Sequence, residues 1–299
     1  MILSSVFFLT PVGTTRGLAG IVGYNVAISK VPVLDVRKSP SNSSELVTQI
    51  LYNERLQTYE KNGEWTRVMI PDQYRTKSGY PGWIRSDKIR RVSRYSYKAP
   101  SWIIISTPEA KLYNKLSKNA GSITIYFGTF LQYLGYVKDT RTYPSGKPIY
   151  WLKCRSADGE ISWVSYNYAR IRDGSPFVGK EAPDLVAAAE VYLDTPYLWG
   201  GMTPDGVDCS GLTYMAYRYS GYIIPRDADQ QFLVGEPVDI GSFATGDMLF
   251  YGSGGEVSHV TMYAGNGWMI EASKKKGVIA SNTRYGKNYM GARRIIRKH

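Results

Sequence analysis

The chain has only two cysteines and two histidines in 299 residues. With Cys154 and Cys209 as the only thiols, at most one bridge can form, so a disulfide framework is excluded. Two distant cysteines and two distant histidines make no zinc site, and no metal is expected. No apolar run reaches the length of a membrane span, so stable membrane insertion is not expected. The Gly-Lys-Ser/Thr phosphate loop and the dinucleotide glycine fingerprint are both missing, and no cofactor is called for. Phe is scarce, at 8 residues beside 25 Tyr. Rings that carry a polar handle suit sheet surfaces and recognition clefts.

What is present is ordinary globular composition, 43% hydrophobic and 21% charged, at a length that suggests two or three domains. The formal net charge is +12. The cations are scattered along the chain and not gathered in an arm. That pattern fits solubility and a general attraction to anionic surfaces better than a nucleic-acid partner, and cell envelope stands as the sharper reading. Residues 1–24 stay open between two readings. Ile2 to Val12 is apolar enough for a short signal core and small residues follow, yet the basic segment that should precede it is missing.

Residues 25–97 read as short strands separated by turn signals such as Asn62-Gly63 and Tyr80-Pro81-Gly82, the layout of a small barrel. Residues 98–175 repeat it loosely. Ala110–Tyr113 parallels Val33–Val36, Ser122–Phe127 parallels Glu45–Leu51, and Ser162-Trp163-Val164 parallels Gly82-Trp83-Ile84. Two copies are too few for a solenoid, so tandem domains are expected. Residues 176–299 open with a linker and change character. Asp184 is the expected N-cap of a helix over Leu185 to Leu193, and a second helix should run from Cys209 through Tyr219 and stop at Gly221. Strand-like runs follow, which makes this part α+β.

The Gly-rich stretch Gly200 to Gly206 delivers Cys209 to a helix start, where unpaired N–H groups and the positive end of the helix dipole favour a thiolate. The same N–H groups are placed to hold an oxyanion. His259 opens a strand-like run, and His299 is the last residue, so a Cys–His enzyme has to use His259. Twelve residues on, Glu271 ends the next run, and adjacent antiparallel strands bring its carboxylate toward the imidazole. The competing reading is a buried structural cysteine and an ordinary histidine.

The motifs decide between these readings. Thr195-Pro196-Tyr197-Leu198-Trp199-Gly200-Gly201, Asp208-Cys209-Ser210-Gly211-Leu212, Pro225-Arg226-Asp227, Gly246-Asp247-Met248-Leu249-Phe250 and His259-Val260 resemble, in order, the NlpC family of cell-wall cysteine peptidases. The resemblance implies a papain-like α+β domain with Cys209 as nucleophile and His259 as base. It implies Tyr197 beside the nucleophile and Glu271 in a third place that the family usually gives to His. Two small all-β SH3-like barrels before such a domain resemble the γ-D-glutamyl-L-diamino acid endopeptidase (dipeptidyl-peptidase VI) branch. That likeness implies peptidoglycan stem peptides as substrate. Glu45, Tyr80 and Asp208 would bind the free amine of an N-terminal L-Ala, with Ser210 next to the nucleophile. Ala228 replaces a Ser that the branch carries. A monomer acting in the cell envelope, the periplasm or outside the cell is the expected form, with the cytoplasm as the alternative. The alternative is a wall-binding protein with a degraded peptidase domain, for which Glu271 is the only support.

Overall fold

A computed structural model of the chain describes residues 25–75, 78–93, 98–116, 120–139, 148–177 and 185–296. Asp184, the expected N-cap, and the N-terminal segment before residue 25 lie outside the described residues.

Seven strands come first: β1 (Asn25–Ser29), β2 (Val33–Arg37), β3 (Leu46–Leu51), β4 (Arg55–Asn62), β5 (Trp65–Ile70), β6 (Tyr80–Arg85) and β7 (Ile89–Arg91). They form one antiparallel sheet in the order β3-β2-β6-β5-β4-β1-β7. Alternation sends Leu34, Val36, Leu56, Val68, Ile70 and Ile84 inward to a shared core. Seven more strands follow: β8 (Ser101–Ile105), β9 (Glu109–Tyr113), β10 (Ser122–Tyr126), β11 (Phe130–Asp139), β12 (Ile149–Arg155), β13 (Ile161–Ser165) and β14 (Ala169–Asp173). Their order, β10-β9-β13-β12-β11-β8-β14, is the first order with seven added to each number. The segments that echo one another in sequence thus occupy equivalent places in the two sheets.

The last part holds α1 (Leu185–Glu190), the two-residue strands β15 (Met202–Thr203) and β16 (Gly206–Val207), α2 (Cys209–Tyr219), α3 (Ala228–Gln231), and the strands β17 (Glu236–Val238), β18 (Met248–Ser253), β19 (Glu256–Gly265), β20 (Trp268–Ser273), β21 (Gly277–Asn282) and β22 (Tyr289–Arg294). The six-stranded antiparallel sheet runs β17-β22-β18-β19-β20-β21, and α2 packs against β19 and β20. The first helix ends earlier than its sequence predicts, at Glu190 instead of Leu193. Asp194 takes the left-handed conformation, φ 67°, and its N–H donates to the Val278 carbonyl, so the chain leaves the helix to run beside β21. The second helix starts and stops where predicted. Asp208 caps it, and Gly221 at φ 90° turns the chain away past its end.

The three parts share buried surface. Leu51 of β3 and Phe127 just past β10 belong to the same core as α2, and Phe127 stacks on Tyr219 with ring centroids 4.5 Å apart. At this junction Arg218 of α2 and Glu54, each 2% exposed, face each other at 3.6 Å. The Arg218 guanidinium also lies over the rings of Phe130 and Phe177. Burial pushes the Glu54 carboxyl up, and the Arg218 charge opposes that. Among the described residues no helix is long and apolar enough to cross a membrane.

Truncating Arg218 leaves Glu54 buried without its counter-charge. Arg218→Ala is expected to lower the free energy of unfolding in urea by about 3–5 kcal/mol. A loss below about 1 kcal/mol would mean the junction does not depend on this pair.

Candidate active site

Cys209 is the first residue of α2 and is 6% exposed. Its position is fixed by Asp208. One carboxylate oxygen of Asp208 accepts the Gly211 N–H at 2.6 Å, and the other accepts the Gly200 N–H at 2.7 Å. Capping of this kind stabilises a helix by about 1 kcal/mol. The loop must also be thin. A Cβ on Gly211 would sit 2.4 Å from the Gly201 carbonyl oxygen, and Gly200 holds φ at 75°. The Tyr197 hydroxyl donates to Cys209, and burial together with the nearby Cys209 and Asp208 charges raises the phenol well above its ordinary range. The other cysteine contrasts with this one. Burial pushes the Cys154 thiol up to about 12, so it stays protonated and inert.

His259 lies on β19 and Glu271 on β20. The register pairs Met262 with Ile270, which sets Glu271 opposite Thr261. His259 is two residues along and on the same face, a diagonal neighbour within reach. Its Nε2 meets Glu271 Oε2 at 3.0 Å, which leaves Nδ1 for the thiol, and the imidazole is hydrogen-bonded to Cys209. Burial disfavours the imidazolium, but the hydrogen bonds and charges of Cys209 and Glu271 outweigh it and raise His259 to about 9. Glu271 is 5% exposed. It accepts from Ser281 at 2.7 Å and from both terminal nitrogens of Arg284 at 2.9 Å. Burial resists its ionisation, yet the bonds from His259, Arg284 and Ser281 hold the carboxyl far below its ordinary range. A carboxylate fixed in this way can orient the imidazole and stabilise its cation.

A cavity of about 570 Å³ opens between the first sheet and α2. Glu45, Tyr80, Tyr197, Asp208 and Cys209 all line it, so the residues singled out from two distant stretches of sequence converge; Ser210 lines it too. Their states differ. Glu45 is exposed and accepts from Trp199 Nε1 at 3.1 Å and from Lys38 at 3.0 Å. The Tyr80 hydroxyl donates to Asp227 at 3.1 Å. Asp208 is saturated. Besides its two backbone donors it takes Arg226 on both oxygens, at 3.0 and 2.9 Å, and the Ser210 hydroxyl at 3.3 Å.

Sequence reasoning did not single out Arg226, Asp227 and Arg284 as site residues. Arg226 and Asp227 sit inside the quoted Pro-Arg-Asp motif, which was the available signal. Asp227 lines the cavity and is paired with Arg75 of the loop between β5 and β6. Burial raises its carboxyl against the pull of Arg226 and Arg75. Arg284 carries no comparable signal, because it follows β21 in a loop.

Residues 194–294 match the NlpC/P60 family and residues 32–89 match the bacterial SH3 domain. The chain is 30% identical over 279 residues to a gamma-D-glutamyl-L-lysine dipeptidyl-peptidase of Bacillus cereus, covering 90% of this chain and 80% of that protein. It is 30% identical over 247 residues to a protein of the same description from Bacillus subtilis, covering 80% and 76%. A crystal structure of an NlpC/P60 family protein from Bacillus cereus aligns at a TM-score of 0.78 and 25% identity, over 90% of this chain and 99% of that one.

A raised His259 keeps the imidazolium up to about pH 9, so its loss sets an alkaline limb there. Glu271→Gln removes the anion that helps raise it. The alkaline limb of kcat/KM in that variant is expected to move to lower pH, with kcat/KM at pH 8 falling on the order of tenfold. An unmoved limb would show that Glu271 does not act on the imidazole.

Proposed function

The chain belongs to the NlpC/P60 family of cysteine peptidases and is a cell-wall endopeptidase, and we propose that it cuts the bond between γ-D-glutamate and the diamino acid of peptidoglycan stem peptides. The observation that carries this reading is the shared cavity. Glu45 and Tyr80 from the first sheet stand in the same cleft as Cys209. Carboxylates and a phenol beside the nucleophile reward a substrate with a free terminal amine. The relatives' descriptions as γ-D-glutamyl-L-lysine dipeptidyl-peptidases support the same bond.

In this reading the Cys209 thiolate attacks the γ-carbonyl of D-glutamate. Backbone N–H groups at the start of α2 hold the oxyanion, with the Tyr197 hydroxyl beside them. His259 then gives its proton to the leaving amine, the C–N bond breaks, and a thioester to L-Ala-γ-D-Glu remains. His259 next takes a proton from water, whose oxygen attacks the thioester; the C–S bond breaks, L-Ala-γ-D-Glu leaves as the free acid, and the thiolate–imidazolium pair is restored. Glu271 keeps the imidazole turned toward Cys209 throughout. The L-Ala ammonium is met by Glu45, Tyr80 and Asp227. Asp208 and Ser210 contribute from the cavity wall, Asp208 through its charge more than through an open lone pair.

The second seven-stranded sheet is, in the same reading, a diverged copy of the first SH3 domain, which its identical strand order supports. The cysteine-bearing helix packed on a histidine-bearing sheet supports a papain-like arrangement. Glu271, once the motive for an inactive wall-binding protein, gives the imidazole an anionic partner instead. The site of action is the cell envelope or the space outside it.

The test is cleavage of an L-Ala-γ-D-Glu-diamino acid tripeptide by the purified chain, read by mass spectrometry of released L-Ala-γ-D-Glu. Cys209→Ala should bind the peptide without cutting it. Acetylating the L-Ala amine should lower kcat/KM on the order of a hundredfold. Turnover by the variant, or equal cleavage of free and acetylated peptide, would contradict the proposal.

A further inference from the structure

A carboxylate has about four places at which it can accept a hydrogen bond, and the fold fills that many on Glu271. Oε1 accepts from the Ser281 hydroxyl at 2.7 Å and from Arg284 Nη1 at 2.9 Å. Oε2 meets His259 Nε2 at 3.0 Å and accepts from Arg284 Nη2 at 2.9 Å. The guanidinium is thus a fork across both oxygens, and each oxygen keeps one further partner. Those partners come from the two neighbouring strands. His259 lies on β19, and Ser281 lies on β21 two residues from Ile279, which pairs with Glu271. Each of them holds a single oxygen. Among these donors only the fork touches both, so the fork fixes the plane of the carboxylate.

The residue that supplies the fork is exposed where Glu271 is buried. The Arg284 side chain is 51% exposed and that of Glu271 is 6% exposed. The guanidinium lies over the Tyr251 ring, 5.6 Å from its centroid, which ties the loop after β21 to β18. Neighbouring charges do not share the task. Among the described residues, Lys287 of the same loop makes no ion pair with Glu271. Glu256, opposite Ser253 in the β18–β19 hairpin, makes none with Arg284. A buried carboxylate without its counter-charge favours protonation or a turn toward water, and either would take it off the imidazole. We propose that Arg284 is a positioning residue for the reaction: its fork holds the Glu271 carboxylate in the plane that faces His259, and residues 271 and 284 act on the imidazole as one coupled pair. The assignment rests on the peptidase reading above and adds to it a residue that works through Glu271.

The experiment measures kcat and KM for the L-Ala-γ-D-Glu-diamino acid tripeptide in wild type, Arg284→Ala, Glu271→Gln and the double variant. Arg284→Ala should lower kcat about tenfold and leave KM within about twofold. Added to Glu271→Gln, the same truncation should change kcat by about twofold or less, because no carboxylate remains to be held. Arg284→Lys, which keeps the charge but cannot fork, should fall between wild type and Arg284→Ala. An equal loss in both backgrounds, from a disturbed fold or any other cause, overturns the coupling. A change confined to KM makes Arg284 a substrate contact and overturns the positioning role. Without substrate, the NMR signal of the His259 ring N–H should be sharp in wild type and broadened by exchange in Arg284→Ala, and an unchanged signal also overturns the proposal. If wild type cuts no tripeptide the peptidase reading fails, and the N–H signal still decides whether Arg284 holds Glu271 on the imidazole.

Discussion

One buried guanidinium organises the site. Arg226 is 1% exposed and has five N–H donors, all of them used. Nε donates to Thr48 Oγ1, Nη1 to Asp208 and Ser210, and Nη2 to Asp208 and the Gly201 carbonyl. Burial disfavours its charge, but Asp208 more than offsets this and keeps it protonated. A buried charge of this kind cannot tolerate the loss of its partner. Asp208 is thereby held in one orientation, and that orientation caps α2 and fixes Cys209. Because Thr48 belongs to β3, the same group ties the first sheet to the start of α2.

Docking of the first sheet therefore does two things at once. It completes the polar shell of Arg226, and it brings Glu45 and Tyr80 to the cavity wall. The Met202 N–H bonded to Gln49 Oε1 at 3.0 Å and the Tyr214 hydroxyl bonded to the Asp72 carbonyl at 2.8 Å hold the same interface. Leu51 and Phe127 extend the peptidase core into both sheets. The cavity wall and the helix that carries Cys209 are thus parts of one packed unit, and loosening the interface would disturb both.

The sequence was most informative where the signal is local. A Gly-rich loop before Cys209 and a terminal Gly mark the two ends of α2. Two strand-like runs twelve residues apart put His259 and Glu271 on one face by alternation alone. The tandem Trp-Ile and Trp-Val segments pointed to two sheets of equal topology. What stayed hidden depends on chain separation. Arg75 meets Asp227 across 152 positions, and Gln49 meets Met202 across 153. Arg284 reaches Glu271 from a loop with no periodicity. The short elements β15, β16, β17 and α3 lack the length that gives a pattern. The overlong estimate of the first helix came from its Ala-rich pattern, which cannot register the turn that Asp194 imposes.

The account stands on an imidazolium at residue 259 sustained by Cys209 on one side and Glu271 on the other. The chain has two histidines, so nitrogen NMR of labelled imidazole can follow His259 alone once His299 is assigned. The account predicts a doubly protonated ring at about pH 7.5, titrating near pH 9. A neutral ring at that pH, titrating near the ordinary value of about 6.5, would contradict it.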